Sequence, residues 1–164
     1  MRVVALSLLA LLGCVLAGRQ DTPAVPQPPP TVAEDTTLCD LIAHPKDYYQ
    51  KVVRIRAVFR RAGEDFEGVE CADCREWVRP DFEEAFDSCT KPGVLKRFRG
   101  KRFDVTIVTT LVGKLDYSIN AGGKPYGFWF RIMCAEKAEI VGRGHSDDVY
   151  RPEVRRMVGC KPAA

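Results

Sequence analysis

Apolar and polar side chains alternate in three segments of this chain, at 51–61, 102–112 and 126–141. A period of two puts successive side chains on opposite faces of a strand, so each segment predicts a half-buried β-strand. In the second segment the alternation assigns Ile107 to the core and its neighbour Thr106 to the outside. The apolar sets of the three strands are Val53, Ile55, Ala57 and Phe59, then Phe103, Val105, Ile107 and Leu111, and then Phe128, Phe130 and Ile132.

Shorter elements are predicted around these strands. Thr36 and Thr37 can cap a short helix with an apolar face, which Pro45 ends or redirects. Two short strands, a partly helical insertion and a turn-rich loop follow from the patterns at 66–71, 76–79, 81–99 and 114–125. The order of elements predicts a mainly β fold, a small OB-like five-stranded barrel with an N-terminal helix and a partly helical insertion between strands 3 and 4.

The junction between the first helix and the first long strand carries a family resemblance. His44-Pro45-Lys46-Asp47-Tyr48, followed by Lys51-Val52-Val53-Arg54-Ile55-Arg56-Ala57, resembles the opening of exported bacterial OB-like domains, many of them lipoproteins. The resemblance covers about residues 38 to 141, and the chain departs from it at Gln50 and Ala57, where that family commonly has glycine. Because the pattern marks a structural junction, it implies architecture and leaves function open.

The N-terminal segment has the features of an export signal. Arg2 precedes an apolar stretch at 3–12 that is too short for an ordinary membrane span, so residues 1–17 predict a signal peptide. Residues 18–35 hold five prolines and predict an extended linker. The barrel domain is expected at 36–142 and a polar C-terminal tail at 143–164. These assignments predict an extracytoplasmic protein, secreted or held in the periplasm or cell envelope.

Cys14 leaves two processing routes open. Leu11-Leu12-Gly13-Cys14 resembles the lipobox of bacterial lipoproteins, in which the cysteine is lipidated. Val15-Leu16-Ala17 before Gly18 equally resembles an ordinary secretory cleavage site. A lipid on Cys14 would be the protein's only membrane attachment.

The other six of the seven cysteines predict a disulfide-stapled domain. Six thiols allow fifteen sets of three disulfides, so the pairing stays open. The alternative is a metal-binding or thiol-redox role for the Cys71-x-x-Cys74 pair. Against it, no second Cys-x-x-Cys occurs, and the adjacent Glu70 and Asp73 would raise the pKa of these thiols. We therefore expect no metal site, and structural disulfides among Cys39, Cys71, Cys74, Cys89, Cys134 and Cys160.

No constellation of residues points to catalysis. The two histidines, His44 and His145, have no evident nucleophile partner, and the motifs of hydrolases, metalloproteases and phosphate-binding loops do not occur. We therefore expect no catalytic residues, no enzyme activity and no cofactor.

The remaining expectation is a non-enzymatic binding or envelope-associated module of unknown ligand. The net charge of +3 does not select a partner, although residues 96–102 hold five basic side chains in seven positions. The extracytoplasmic location argues against nucleic acid, which leaves an envelope protein or an anionic polymer as the candidate partner. The binding surface is expected on the outer faces of strands 2 and 3 with the loops at 61–65 and 114–125. The candidate contact residues are Arg54, Arg56, Trp77, Arg79, Tyr117, Trp129 and Arg131.

Overall fold

The computed structural model describes residues 32–74, 77–100 and 104–159. The predicted signal peptide, Cys14, most of the linker, Phe103 and Cys160 lie outside the described residues. No helix within these ranges is long and apolar enough to cross a membrane.

The fold is mainly β, as predicted, and its strands form one six-stranded sheet. A short strand that the sequence did not predict precedes the others. Its first two residues belong to the predicted linker, and all three pair in parallel with the first long strand. The strands are β1 (Glu34–Thr36), β2 (Val52–Ala62), β3 (Phe66–Glu70), β4 (Arg79–Phe82), β5 (Val105–Ile119) and β6 (Pro125–Gly142).

The two long strands β2 and β5 organise the sheet. β2 pairs antiparallel with β5 along one edge, and its other edge holds β1 in parallel and β3 antiparallel. β5 pairs antiparallel with β6, and β6 pairs in parallel with β4. β3 and the segment before β4 meet only at a bridge between Val69 and Val78, so continuous strand pairing does not close the sheet.

The helices cover the sheet and fill its core. Thr37 caps the first helix, since its Oγ1 accepts a hydrogen bond from the Asp40 backbone N–H at 3.0 Å. Two helices occupy the predicted insertion and carry Phe86 and Phe98, which pack with Phe59 and Phe82 at ring distances of 4.8 to 6.3 Å. The helices are α1 (Leu38–Ala43), α2 (Pro45–Tyr48), α3 (Phe86–Cys89), α4 (Pro92–Phe98), a 3-10 helix (Ser146–Tyr150) and α5 (Pro152–Val158).

The segment predicted as a polar tail folds onto the sheet. Its valines, Val149, Val154 and Val158, are buried in the core. The carboxylate of Asp148 accepts hydrogen bonds from the Thr106 hydroxyl at 2.7 Å and from the backbone N–H groups of residues 143 and 145 at 3.1 and 3.2 Å. Thr106 is fully buried, and the prediction that it is exposed to solvent is wrong, because this segment covers the outer face of β5 at that point.

A disulfide joins the helical insertion to the sheet. Cys89 at the end of α3 is bonded to Cys134 of β6, with the two Cα atoms 5.4 Å apart. The Thr90 hydroxyl, next to this disulfide, accepts a hydrogen bond from the Ala135 backbone N–H at 3.0 Å. The covalent bond and the hydrogen bond together hold α3 against β6.

Replacing Asp148 with alanine tests the anchor of the C-terminal segment. We expect the free energy of unfolding in urea to fall by about 3 kcal/mol, because charge-assisted hydrogen bonds contribute about 1.5–3 kcal/mol each and the buried Thr106 hydroxyl loses the acceptor of its hydrogen bond. Asp147→Ala, at an exposed neighbouring position, is the matched control and should change stability by less than about 0.5 kcal/mol. Equal effects of the two substitutions would contradict the anchor.

Removing the Cys89–Cys134 disulfide tests how much this bond contributes to stability. The double substitution Cys89→Ala and Cys134→Ala frees a loop with a sequence separation of 45 residues. The chain-entropy model then gives a loss of about 4 kcal/mol, measured by urea unfolding of the purified variant. A double variant as stable as the natural chain would show that α3 is held by packing alone.

Candidate binding surface

Strands β4 and β6 present one mixed aromatic and charged face to solvent. In their parallel register Arg79 lies beside Trp129, and Asp81 lies beside Arg131. Partners in register point to the same side of a sheet, and the alternating residues Val78, Phe130 and Ile132 are buried on the other side. Trp77, next to buried Val78, lies on the outer side with Arg79. We call the group Trp77, Arg79, Asp81, Trp129 and Arg131 the β4–β6 face.

The two arginines of the β4–β6 face differ in their partners. Arg131 forms an ion pair with Asp116 of β5. The hydrogen bond and charge of Asp116 raise the pKa of Arg131, and the charges of Asp81 and Glu83 add to this effect. Arg79 is exposed and forms no ion pair or side-chain hydrogen bond within the part of the chain that the structure describes. Arg79 is therefore available to a ligand, whereas the charge of Arg131 is balanced.

Trp77 extends the face toward β3 through a tilted ring contact with Phe66. Its indole lies 5.2 Å from the Phe66 ring and keeps 45% of its surface exposed. The Arg60 guanidinium lies 4.1 Å from the centre of the Phe66 ring and also forms an ion pair with Glu70. Phe66 packed between Arg60 and Trp77 limits the freedom of both, so this edge of the face is preorganised.

The predicted contact residues Arg54 and Arg56 lie apart from the β4–β6 face, on β2. Arg54 forms ion pairs with Glu136 and Asp35 at 3.0 and 3.2 Å. The hydrogen bond that Arg54 donates to Glu136, followed by the one that it donates to Asp35, raises the pKa of Arg54. Arg56 is exposed and lines a separate cavity together with Arg97 of α4. Strand β5 separates these two arginines from β6 in the sheet order, so the seven candidates do not form one surface.

Tyr117, the last predicted contact residue, belongs to an aromatic cluster on the inner side of the hairpin. Its ring packs against Tyr49 at 5.3 Å and Phe128 at 6.1 Å. Phe128 also lines a cavity of about 470 Å³ between the first two helices and β6. His44 and Lys46 line the same cavity. His44, for which the sequence shows no evident nucleophile partner, thus lines a pocket.

The two predicted binding loops lie at opposite ends of the β2–β5 ladder. The β2–β3 turn at 63–65 follows the end of β2 that pairs with Val105, whereas the β5–β6 turn at 120–124 lies beyond the end that pairs with Lys114. Much of the predicted 114–125 loop is strand, because β5 runs to Ile119 and β6 begins at Pro125. The hairpin therefore ends in a short turn flanked by exposed Ile119 and Tyr126.

Three cysteine sulfurs cluster beside Trp77. Cys39 is disulfide-bonded to Cys74 with a Cα separation of 5.2 Å, and Cys71 is a disulfide cysteine as well. Cys74 is thus bonded to Cys39 of α1 and not to Cys71. The Sγ atoms of Cys39, Cys71 and Cys74 all lie within 4.8 Å of one another, a spacing that suits three ligands of one metal. They could bind it only as thiolates, after reduction.

Two further groups that the tertiary structure assembles have no signal in the sequence. Asp148 appeared as one acid among others in a polar segment, with no periodic signal to mark its burial. The basic run at 96–102 is visible in the sequence, but nothing in it indicates that Arg97 lines one cavity with Arg56 and Lys137. Comparison of the chain with protein-family models, with curated proteins and with solved structures gave no match.

Proposed function

We propose that this chain is a non-enzymatic binding module of the extracytoplasmic space, and that its contact surface is the β4–β6 face. The observation that carries the proposal is the register of β4 and β6, which sets the unpaired Arg79 beside the indole of Trp129. Tryptophan and arginine dominate the binding energy of protein interfaces, because both combine large contact area with directional polar groups.

The charge balance of the face favours a protein over an anionic polymer as the partner. Arg79 and Arg131 are offset by Asp81 and Asp116, so the face as a whole carries no excess of positive charge. The electrostatic attraction of a polyanion to this face would be weak, since Asp81 and Asp116 would repel it. A protein segment with both apolar and charged side chains fits the exposed aromatic rings and the alternating positive and negative charges of this face.

An OB-like barrel is the architecture we propose for the module. Setting β1 aside, pairing runs from β2 to β5, from β5 to β6 and from β6 to β4, and the Val69–Val78 bridge leads from β4 through β3 back to β2. This circuit fits a partly open five-stranded barrel, in which the helices between β4 and β5 fill one end. In such barrels the outer face that includes β4 is a frequent binding surface.

Two observations support a location outside the cytoplasm. The cysteine pairs Cys39–Cys74 and Cys89–Cys134 are disulfide-bonded, and disulfides persist in oxidising compartments. The sequence features of residues 1–17 add an export signal, with either a lipid on Cys14 or cleavage beyond it. The two routes differ in whether the module stays attached to a membrane.

Alanine substitutions on the face test the proposal. The purified chain would be cross-linked to envelope proteins of its source organism, and the affinity for each specifically recovered protein would be measured. We expect Trp129→Ala and Arg79→Ala each to weaken that binding at least tenfold, since interface hot spots contribute about 2 kcal/mol or more. Arg143→Ala, at an exposed arginine outside the face, should bind normally. Unchanged affinity in both face variants, with unchanged unfolding midpoints, would refute the proposed surface.

The cluster of Cys39, Cys71 and Cys74 supports one alternative, a metal-binding or thiol-redox protein. Thiol titration and zinc analysis of protein purified from the oxidising compartment distinguish the two functions. The binding-module proposal predicts no titratable thiol at these three positions and no bound zinc. Stoichiometric zinc, lost in Cys71→Ser but retained in Cys89→Ser, would favour the alternative. Cys89 is the matched control because its disulfide, to Cys134, lies outside the cluster.

A further inference from the structure

A cavity of about 420 Å³ opens on the outer surface of β2, β5 and β6, under helix α4. It is separate from the β4–β6 face, and none of the functions discussed above uses it. The polar groups that line it are Arg56, Arg97, Thr109, Thr110, Lys137 and Glu139.

Strand register arranges three of these residues in a row. Arg56 of β2 lies opposite Thr110 of β5, and Thr110 lies opposite Lys137 of β6. Neighbouring strands are about 4.8 Å apart, so the two cationic residues lie on either side of the threonine, with Cα atoms about 10 Å apart. Arg97 of α4 adds a third cation from above the sheet. We call Arg56, Thr110, Lys137 and Arg97 the basic row.

The backbone beneath the basic row is held in place. The hydroxyl of Thr109, which is buried, donates a hydrogen bond to the backbone carbonyl of Lys137 at 2.6 Å. This bond fixes the spacing of β5 and β6 where the row crosses them. The row therefore lies on a rigid sheet, which reduces the entropy lost when a ligand orders it.

Cationic side chains outnumber acidic side chains in the lining of the cavity. Its lining holds three cationic side chains and one acidic side chain, Glu139. Neither Arg97 nor Lys137 has an ion pair anywhere in the three described segments. An anion entering the cavity would relieve the repulsion among the cations and replace their hydration with direct contacts.

We propose that the basic row binds a phosphate group carried on a larger ligand. Guanidinium groups bind phosphate oxygens through paired N–H donors, the lysine adds a point charge, and the Thr110 hydroxyl supplies a neutral donor between them. The cavity has the volume of a small-molecule site and so leaves room for the group that carries the phosphate. That group belongs either to a soluble phosphorylated compound or to an anionic lipid.

Calorimetric titration of the purified chain with inorganic pyrophosphate tests the site. We expect saturable binding at low ionic strength that weakens at least tenfold in Arg97→Gln and in Lys137→Gln, and less in Thr110→Val. Lys124→Gln is the matched control, since Lys124 is an exposed lysine in the β5–β6 turn, outside the cavity. Its affinity should equal that of the natural chain. Urea unfolding of each variant shows whether the fold is intact.

Vesicles distinguish the two sources of the phosphate group. Sedimentation with phosphatidylglycerol vesicles, compared with phosphatidylcholine vesicles, should reproduce the pattern of the variants if the ligand is a lipid. Pyrophosphate binding without vesicle binding indicates a soluble ligand. No saturable binding to either probe overturns the proposal, and so does equal weakening by Lys124→Gln and Lys137→Gln, which would indicate diffuse attraction. Arg79→Ala should leave pyrophosphate binding intact, so failure here and failure of the β4–β6 face are distinguishable.

Discussion

Antiparallel pairing between β5 and β6, the two longest strands, holds the sheet together. It runs from Thr106 opposite Gly142 to Ile119 opposite Pro125, and β2, β4 and α3 are all attached to one of its two strands. The ladder shifts register four times, and such irregularities bend and twist a strand pair. At Gly113 an added Cβ would lie 2.1 Å from the Arg131 carbonyl oxygen, so this close approach requires glycine.

The same ladder gives the protein two surfaces of different chemistry. Toward the hairpin end, Asp116 of β5 balances Arg131 of β6, and the β4–β6 face is neutral with exposed aromatic rings. Further along, Thr110 of β5 lies between Arg56 and Lys137, where cations outnumber acids. One surface suits a protein segment and the other suits a phosphate group. If both proposed sites bind their ligands, the two can be occupied at once, because different strand positions carry them.

Covalent and buried polar contacts hold the periphery to this ladder. The Cys89–Cys134 disulfide ties the insertion to β6, and the Cys39–Cys74 disulfide ties the first helix to the turn after β3. The C-terminal segment is anchored by the Asp148 carboxylate on the hydroxyl of Thr106. Each contact joins residues that are 35 to 45 positions apart in the sequence. Together they add specific long-range bonds to a core of modest size.

The sequence predicts the mainly β class, the three long strands, the partly helical insertion and the presence of disulfides, because period-two alternation and cysteine number are local or compositional signals. It did not determine strand β1, the disulfide pairing, the burial of Thr106 or the meeting of Arg56, Thr110 and Lys137. Those features depend on register between distant strands and on which segment covers an outer face. Alternation separates two faces of a strand, but only tertiary packing decides whether the outer face meets solvent or, as at Thr106, the C-terminal segment.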